Sequence, residues 1–126
     1  LQSWSDALTE ALGGTVEGTM VVMSSDFTHY GRRFRYTPFG TENVDDEVRR
    51  DDLEVAGMIA EGDREGIFRR MERPTTVCGR MPILLGMTLL ATPGRVVDYY
   101  TSRTVTGETD GDFVCYATIL FEEDDR

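Results

Sequence analysis

The sequence predicts a single α/β domain of residues 1–126, with helices on both sides of a mixed sheet in αβα layers. Residues 20–23 form a short apolar run without alternation, which is typical of an interior strand. Residues 113–121 are apolar on both faces, so this strand needs helices on either side. Between the two runs, apolar residues recur at helical spacing, which completes the α/β pattern.

The first predicted helix covers residues 3–12. Ser3 is its expected N-terminal cap, and Gly13 with Gly14 is its expected end. Apolar residues on this segment recur three and four positions apart and would share one face: Trp4, Ala7, Leu8, Ala11 and Leu12.

The second helix is expected to begin after Asn43 and to stop near Gly62. Its first turn is acidic, which favours a helix N-terminus. A shorter helix is expected from Asp63 to Pro74, with three residues facing inward: Ile67, Phe68 and Met71. The apolar face of the longer helix is formed by Val44, Val48, Val55 and Ile59.

Two units are predicted in which a strand leads into a loop or a helix. Residues 19–25 are expected to form a parallel strand that ends in a loop through Gly40. Residues 75–94 repeat this plan, with Pro82 at a first helical position and a helix that is apolar nearly all round. Such a helix is expected to be deeply buried.

The chain is expected to close with strands at residues 95–105 and 113–121, joined by a turn. Both segments are rich in β-branched and aromatic residues. The turn between them reads "TGETDGD", whose glycines and aspartates are typical of a loop.

Charge excludes several classes of partner. The formal net charge is -10, and all 13 basic residues are arginine, a composition that fits a high-salt organism or a GC-rich genome. Nucleic acids and anionic membranes attract basic surfaces, so neither is expected as a partner. Apolar runs are too short to span a bilayer. Two cysteines make no disulfide framework, so a cytoplasmic location with reduced thiols is expected.

Chemically capable side chains follow the predicted strand ends. Asp26 and His29 come directly after the first strand, and His29 is the only histidine in the chain. Cys78 precedes the helix that Pro82 opens, where the helix dipole favours a thiolate. Ligands of open α/β sheets bind beyond the carboxyl ends of strands. A carboxylate, an imidazole and a thiolate suit a transition metal, or acid–base and nucleophilic chemistry.

Each of these residues also has a plain structural interpretation. His29 fits a loop imidazole bonded to backbone, and Cys78 fits a small buried apolar residue. Cys115 faces a strand interior and is expected to pack in the core. Three arginines could bind an anion or neutralise nearby carboxylates: Arg32, Arg33 and Arg35.

Two motifs make the sequence resemble the Memo family, the mediator-of-cell-motility family whose microbial members are also called AmmeMemoRadiSam system protein B. The first is "SSDFTHYGRRFRY" and the second is "CGRMPI", about fifty residues later. The matching residues of the two motifs are Ser24, Ser25, Asp26, Phe27, His29, Tyr30, Gly31, Arg33, Phe34, Tyr36, Cys78, Gly79, Pro82 and Ile83.

This resemblance implies a fold like that of class III extradiol dioxygenases and related hydrolase-like proteins. It also implies a pocket in which Asp26, His29 and Cys78 help to bind iron(II) or copper(I). Family proteins are longer and carry two further pocket histidines upstream, so we expect this chain to be the C-terminal half of a larger domain that requires its N-terminal half. Tyr30 and Met81 depart from the family pattern, which often has tryptophan and histidine there.

Three functional hypotheses follow from these residues and from the resemblance. The first is a Memo-like, metal-dependent redox protein, a possible dioxygenase-like oxidoreductase. The second is a non-catalytic binding or signalling module that recognises an anionic peptide or metabolite through Arg32, Arg33 and Arg35. The third is an inactive truncated fragment.

Overall fold

A three-stranded sheet lies at the centre of the computed structural model, which describes residues 1–40, 42–71, 77–109 and 111–122. Helices and strands are interspersed along the chain, as expected for an α/β protein. In order, the elements are α1 Gln2–Ala11, β1 His29–Tyr30, a 3₁₀ turn at Arg32–Phe34, α2 Val44–Glu61, α3 Arg64–Met71, α4 Arg80–Leu90, β2 Gly94–Thr101, α5 Ser102–Thr106 and β3 Phe113–Phe121.

β3 is the central strand, as its two apolar faces predict. It lies between β1 and β2, and His29 of β1 is opposite Val114. Backbone hydrogen bonds extend this edge: Phe27 N donates to Cys115 O at 2.9 Å, and Cys115 N donates to Thr28 O at 2.9 Å. The predicted α/β class is confirmed, and within the described part of the chain both strand pairings are antiparallel.

α2 packs against β2 and β3 and supplies much of the core. Its predicted apolar face is confirmed, because Val48, Val55 and Ile59 are buried and Val44 is half-buried. The helix ends at Gly62, whose positive φ of 76° suits a glycine. Other elements complete the cluster of buried side chains with Phe27, Tyr30, Ile67, Val77, Ile83, Leu84, Met87, Phe113 and Cys115.

The sheet face turned away from α2 is more open than the face that α2 covers. Tyr100 and Leu120 of this face are each 37% exposed. Tyr100 lies opposite Tyr116, and their rings stack with centroids 5.0 Å apart. His29 belongs to this open face because its partner Val114 alternates with the buried Phe113 along β3.

The predicted interior strand at residues 19–25 is wrong. No strand forms there, and Met20 and Val22 are 87% and 77% exposed. A strand needs a neighbour to receive its backbone hydrogen bonds, and of residues 19–30 only residues 27–30 bond to β3. The apolar run therefore lies outside the sheet.

The strand predicted at residues 95–105 is too long at its C-terminal end. β2 ends at Thr101, whose side chain accepts a backbone N–H and caps α5. β-branched residues in α5 favoured a strand by propensity, but the local cap and the turn override that preference.

The strand predicted before Cys78 falls mainly on residues 75 and 76, which lie outside the described residues.

The predicted helices form, although neither of the two predicted N-terminal side-chain caps does. α1 ends before Gly13 and Gly14, which have φ values of 91° and 93°. Ser3 lies inside α1, and Asn43 precedes α2 without a side-chain cap bond. Pro82 is the third residue of α4 and still lies within its first turn, where proline is tolerated.

Burial of the helices is less complete than their patterns predict. Trp4 of α1 is 71% exposed, and Phe68 of α3 is also exposed. Met81 is exposed as well, so α4 is buried along one face and not all round. Apolar spacing identifies a helical face but does not say whether a neighbouring element covers it. The side chain of Met71 and the helix end at Pro74 lie outside the described residues.

Candidate functional site

Asp26 and His29 form a polar pair at the edge of the sheet. Asp26 lies at the end of the extended segment before β1, and His29 is the first residue of β1. His29 Nε2 is 3.3 Å from Asp26 Oδ2, and both side chains are partly exposed. Tyr30 points into the core, so strand alternation turns His29 to the open face beside Asp26.

Ser25 and Asp26 hold the turn that carries Cys78. The Cys78 N–H donates to the Asp26 carbonyl oxygen at 3.3 Å. The Gly79 N–H donates to Ser25 Oγ at 2.8 Å, and Ser25 Oγ donates to the Asp26 carbonyl oxygen at 3.0 Å. Cys78 Sγ is 3.7 Å from Ser25 Oγ. The two sequence motifs are therefore neighbours in space, more than fifty residues apart along the chain.

Glycines occur in this region where other side chains would collide. A Cβ atom at Gly79 would lie 2.6 Å from Ser25 Cβ and 2.7 Å from Ser25 Oγ. Gly31 has φ 124° and lies against Asp112, so it is restricted by both conformation and space. The Asp112 carboxylate accepts the Arg33 N–H at 3.3 Å, which ties the turn after His29 to the start of β3.

An arginine-rich turn borders the pair. The ring of Phe34 is 5.1 Å from the ring of His29, and the guanidinium of Arg33 is 5.9 Å from the Phe34 ring centre. Arg32, Arg33 and Arg35 are exposed, and among the described residues no salt bridge involves them. The interpretation that these arginines neutralise nearby carboxylates therefore has no ion pair to support it among the described residues.

The chemistry of the three predicted ligands fits a transition metal, and the arrangement fits it in part. Asp26 and His29 adjoin, and the backbone of Cys78 bonds to Asp26. Across residues 1–40, 42–71, 77–109 and 111–122, no three His, Cys, Asp or Glu side chains cluster closely enough to hold one metal ion. The described residues therefore provide a part of a metal site, and the assignment of these ligands stays a prediction.

Sequence reasoning missed a buried carboxylate directly behind the pair. Asp52 of α2 is fully buried. Its Oδ1 accepts a hydrogen bond from Thr28 Oγ1 at 2.6 Å, and its Oδ2 accepts one from Tyr99 OH at 2.9 Å. The signal was available in the sequence, because Asp52 lies on the helical face between Val48 and Val55.

Burial sets the protonation of the groups around Asp52. It raises the pKa of the Cys115 thiol to about 12, and the charge of Asp52 raises it further while a hydrogen bond with Tyr99 opposes the change. Burial also raises the pKa of Tyr99, with contributions from Cys115 and Asp52. On the open face, burial and then the charge of Asp26 raise the pKa of Tyr116. These groups are all neutral at physiological pH.

Fold and site together define an α/β protein whose sheet edge carries an acid–histidine pair bonded to a cysteine–glycine turn. A family model described as Memo-like protein matches residues 2–120. The chain therefore belongs to the Memo-like family, as its two motifs predict.

Curated relatives of this chain carry the family name. A MEMO1 family protein from Pyrococcus horikoshii is 28% identical over 96% of this chain and 44% of its own length. One from Pyrococcus abyssi is 33% identical over 88% of this chain and 39% of its own length. One from Aquifex aeolicus is 30% identical over 83% of this chain and 36% of its own length. The chain thus spans less than half the length of these relatives.

None of the helices in the described residues could cross a membrane. α4, which has the most apolar sequence, contains 11 residues. A bilayer-spanning helix needs about 20 apolar residues.

We expect one reactive thiol in the folded chain and two after unfolding. Cys78 is exposed, whereas Cys115 is buried and its raised pKa leaves almost no thiolate at about pH 8. Titration with a chromogenic disulfide reagent, with and without denaturant, measures both numbers. Cys78→Ser is the matched variant and should show no fast thiol when folded. Comparable reaction rates of the two cysteines in the folded chain would contradict this prediction.

Gly79→Ala should destabilise the chain by about 1–3 kcal/mol, because the new methyl group overlaps Ser25. It should also change the reaction rate of the Cys78 thiol, because the turn moves away from Ser25. The control is Gly57→Ala in α2, where an added Cβ meets nothing within 4 Å. That change should stabilise the helix by about 0.5–1 kcal/mol. Denaturant unfolding measures both, and equal effects would refute the steric argument.

Proposed function

We propose that this chain supplies one side of a metal-binding redox pocket related to that of class III extradiol dioxygenases. Asp26, His29 and Cys78 would be its ligands toward iron(II) or copper(I). The observation that carries the proposal is the 3.3 Å contact between His29 and Asp26, with the Cys78 backbone bonded to Asp26. Membership of the Memo-like family supports it.

The three side chains offer the donor atoms that such a metal needs. A carboxylate oxygen, an imidazole nitrogen and a thiolate sulfur bind iron and copper in proteins. When bound, such a metal supplies one-electron redox chemistry and a position for oxygen. The protein residues would contribute orientation: His29 Nε2 and Asp26 Oδ2 already lie 3.3 Å apart, and Ser25 holds the turn that bears Cys78.

The remaining ligands would come from a further part of the protein. The relatives are more than twice as long as the region they share with this chain, which leaves room for an N-terminal half. The open sheet face with Tyr100 and Leu120 is the surface on which we propose it packs. We propose that the protein is located in the cytoplasm, where the free thiols Cys78 and Cys115 stay reduced.

Metal analysis of the protein at its full natural length tests this function. Iron or copper should copurify, and Cys78→Ser should lower occupancy about tenfold or more, as loss of a ligand or its support does. Cys115→Ser is the matched control, because that thiol is buried on the core side of β3, whereas His29 lies opposite Val114, and it should leave occupancy unchanged. Equal metal content in the wild type and in Cys78→Ser would refute the proposal.

A second candidate is a module that binds an anionic peptide or metabolite without catalysis. What favours it is the exposed turn with Arg32, Arg33 and Arg35, which have no salt bridge among the described residues. Guanidinium groups bind phosphate and carboxylate well.

The third hypothesis, an inactive fragment, predicts neither metal nor anion binding.

Arg33→Glu should weaken binding of phosphotyrosine about tenfold or more, by removing a charge-assisted hydrogen bond and adding repulsion. Metal content should not change in this variant. The control is Arg69→Glu on α3, where the side chain is also exposed and lies 3.9 Å from Glu65. Calorimetric titration measures the affinity, and equal loss in both variants would mean general charge attraction instead of a site.

A further inference from the structure

We propose that Asp52 is a positioning residue of the Asp26–His29 site. It would act from beneath the sheet, by anchoring the strand segment that carries both side chains. The inference deepens the proposed function, since it depends on that function for the chemical role of the site. The anchoring itself depends only on the geometry around Thr28.

Thr28 connects the buried carboxylate to the site. It stands between Asp26 and His29 in the chain, is 1% exposed, and gives its hydroxyl hydrogen to Asp52 Oδ1 at 2.6 Å. Thr28 and Tyr30 point into the core, so His29 between them must point to the open face. Fixing the Thr28 side chain from below therefore fixes the direction of His29 above.

The backbone ladder alone holds this segment weakly. β1 has two residues, His29–Tyr30, and only two backbone bonds join Phe27 and Thr28 to Cys115. A strand this short can slip in register, and a slip of one residue turns each side chain to the other face. The bond between Thr28 and Asp52 opposes such a slip, because it is formed in one register only.

Both oxygens of the Asp52 carboxylate are engaged, and they serve different strands. Oδ1 accepts from Thr28 beside the site, whereas Oδ2 accepts from Tyr99 OH of β2 at 2.9 Å. A buried carboxylate is costly, and an apolar residue would often stabilise a core equally well. Stability alone does not explain a carboxylate at this position. Fixing the strand segment that carries the site would explain it.

The two hydrogen bonds make a matched pair of variants. Thr28→Val removes the donor to Oδ1, and Tyr99→Phe removes the donor to Oδ2 of the same carboxylate. Both should lower the thermal midpoint by similar amounts. Only Thr28→Val should disturb the site. Asp52→Asn is the conservative variant, because the amide oxygen can still accept from Thr28, and it should retain the site geometry.

The imidazole of His29 reports the result in the 126-residue chain. It is the only histidine, so its ring signals in a proton NMR spectrum are assigned without ambiguity. Its ring lies 5.1 Å from that of Phe34, close enough for a nuclear Overhauser effect and a ring-current shift. Thr28→Val should lose this contact, whereas Tyr99→Phe and Asp52→Asn should keep it. If Thr28→Val keeps it, or if Tyr99→Phe loses it equally, the inference is overturned.

Metal binding separates this inference from the proposed function. In the protein at full natural length, Thr28→Val should lower iron(II) affinity about tenfold, the usual cost of losing an outer support, and Tyr99→Phe should not. If the wild type binds no metal while Thr28→Val still moves the His29 signals, the proposed function fails and the positioning role stands. If the wild type binds metal and both variants bind it equally, Asp52 is a core residue only.

Discussion

The site depends on the hydrogen bonds between residues 25–26 and the Cys78–Gly79 turn. These bonds connect two segments that are far apart in the sequence. They join the segment before β1 to the start of α4, so the helix and the sheet edge have a defined relative position. Gly79 allows the close approach because it has no side chain to meet Ser25. Asp26, His29 and Cys78 owe their proximity to this contact and to the short β1 ladder.

Behind this contact, the core uses a polar group where apolar packing would suffice for stability. Asp52 lies on the otherwise apolar, buried face of α2. It connects that helix to β2 through Tyr99 and to the segment before β1 through Thr28. In the positioning role that we propose, such a group adds specificity of register more than free energy of unfolding. The same burial keeps Cys115 protonated, so of the two cysteines only Cys78 is available for chemistry.

Family membership and the partial site are consistent with each other. The chain covers less than half of its relatives, and the described residues supply a pair of adjacent donors with a cysteine turn close by. Met20 and Val22 stay exposed although they belong to the most apolar run near the first motif. Exposed residues of an apolar run, next to part of a ligand set, are what the proposed division of one pocket between two halves leads one to expect.

Much of the candidate site could be predicted from the sequence. The two motifs bring Asp26, His29 and Cys78 together in prediction, although the strand predicted before Asp26 does not form and His29 is the first residue of β1, not a residue that follows a strand. Asp52 was missed because a carboxylate on an apolar helical face has several explanations. It can lie at the edge of that face, the helical pattern can be misassigned, or the carboxylate can be buried with a hydrogen-bond partner. Only its contacts with Thr28 and Tyr99 decide among these.

What the sequence by itself determined is local: the helices α2 and α4, the glycine ends of α1 and α2, the central strand β3 and the family motifs. Each of these depends on spacing, propensity or a single residue's allowed φ, all of which are readable within a few positions. The tertiary structure alone decided that residues 19–25 form no strand, that Trp4 is exposed and that Asp52 lies behind His29. Strand formation and burial require partners far away in the chain, and a local pattern carries no information about whether those partners are in reach.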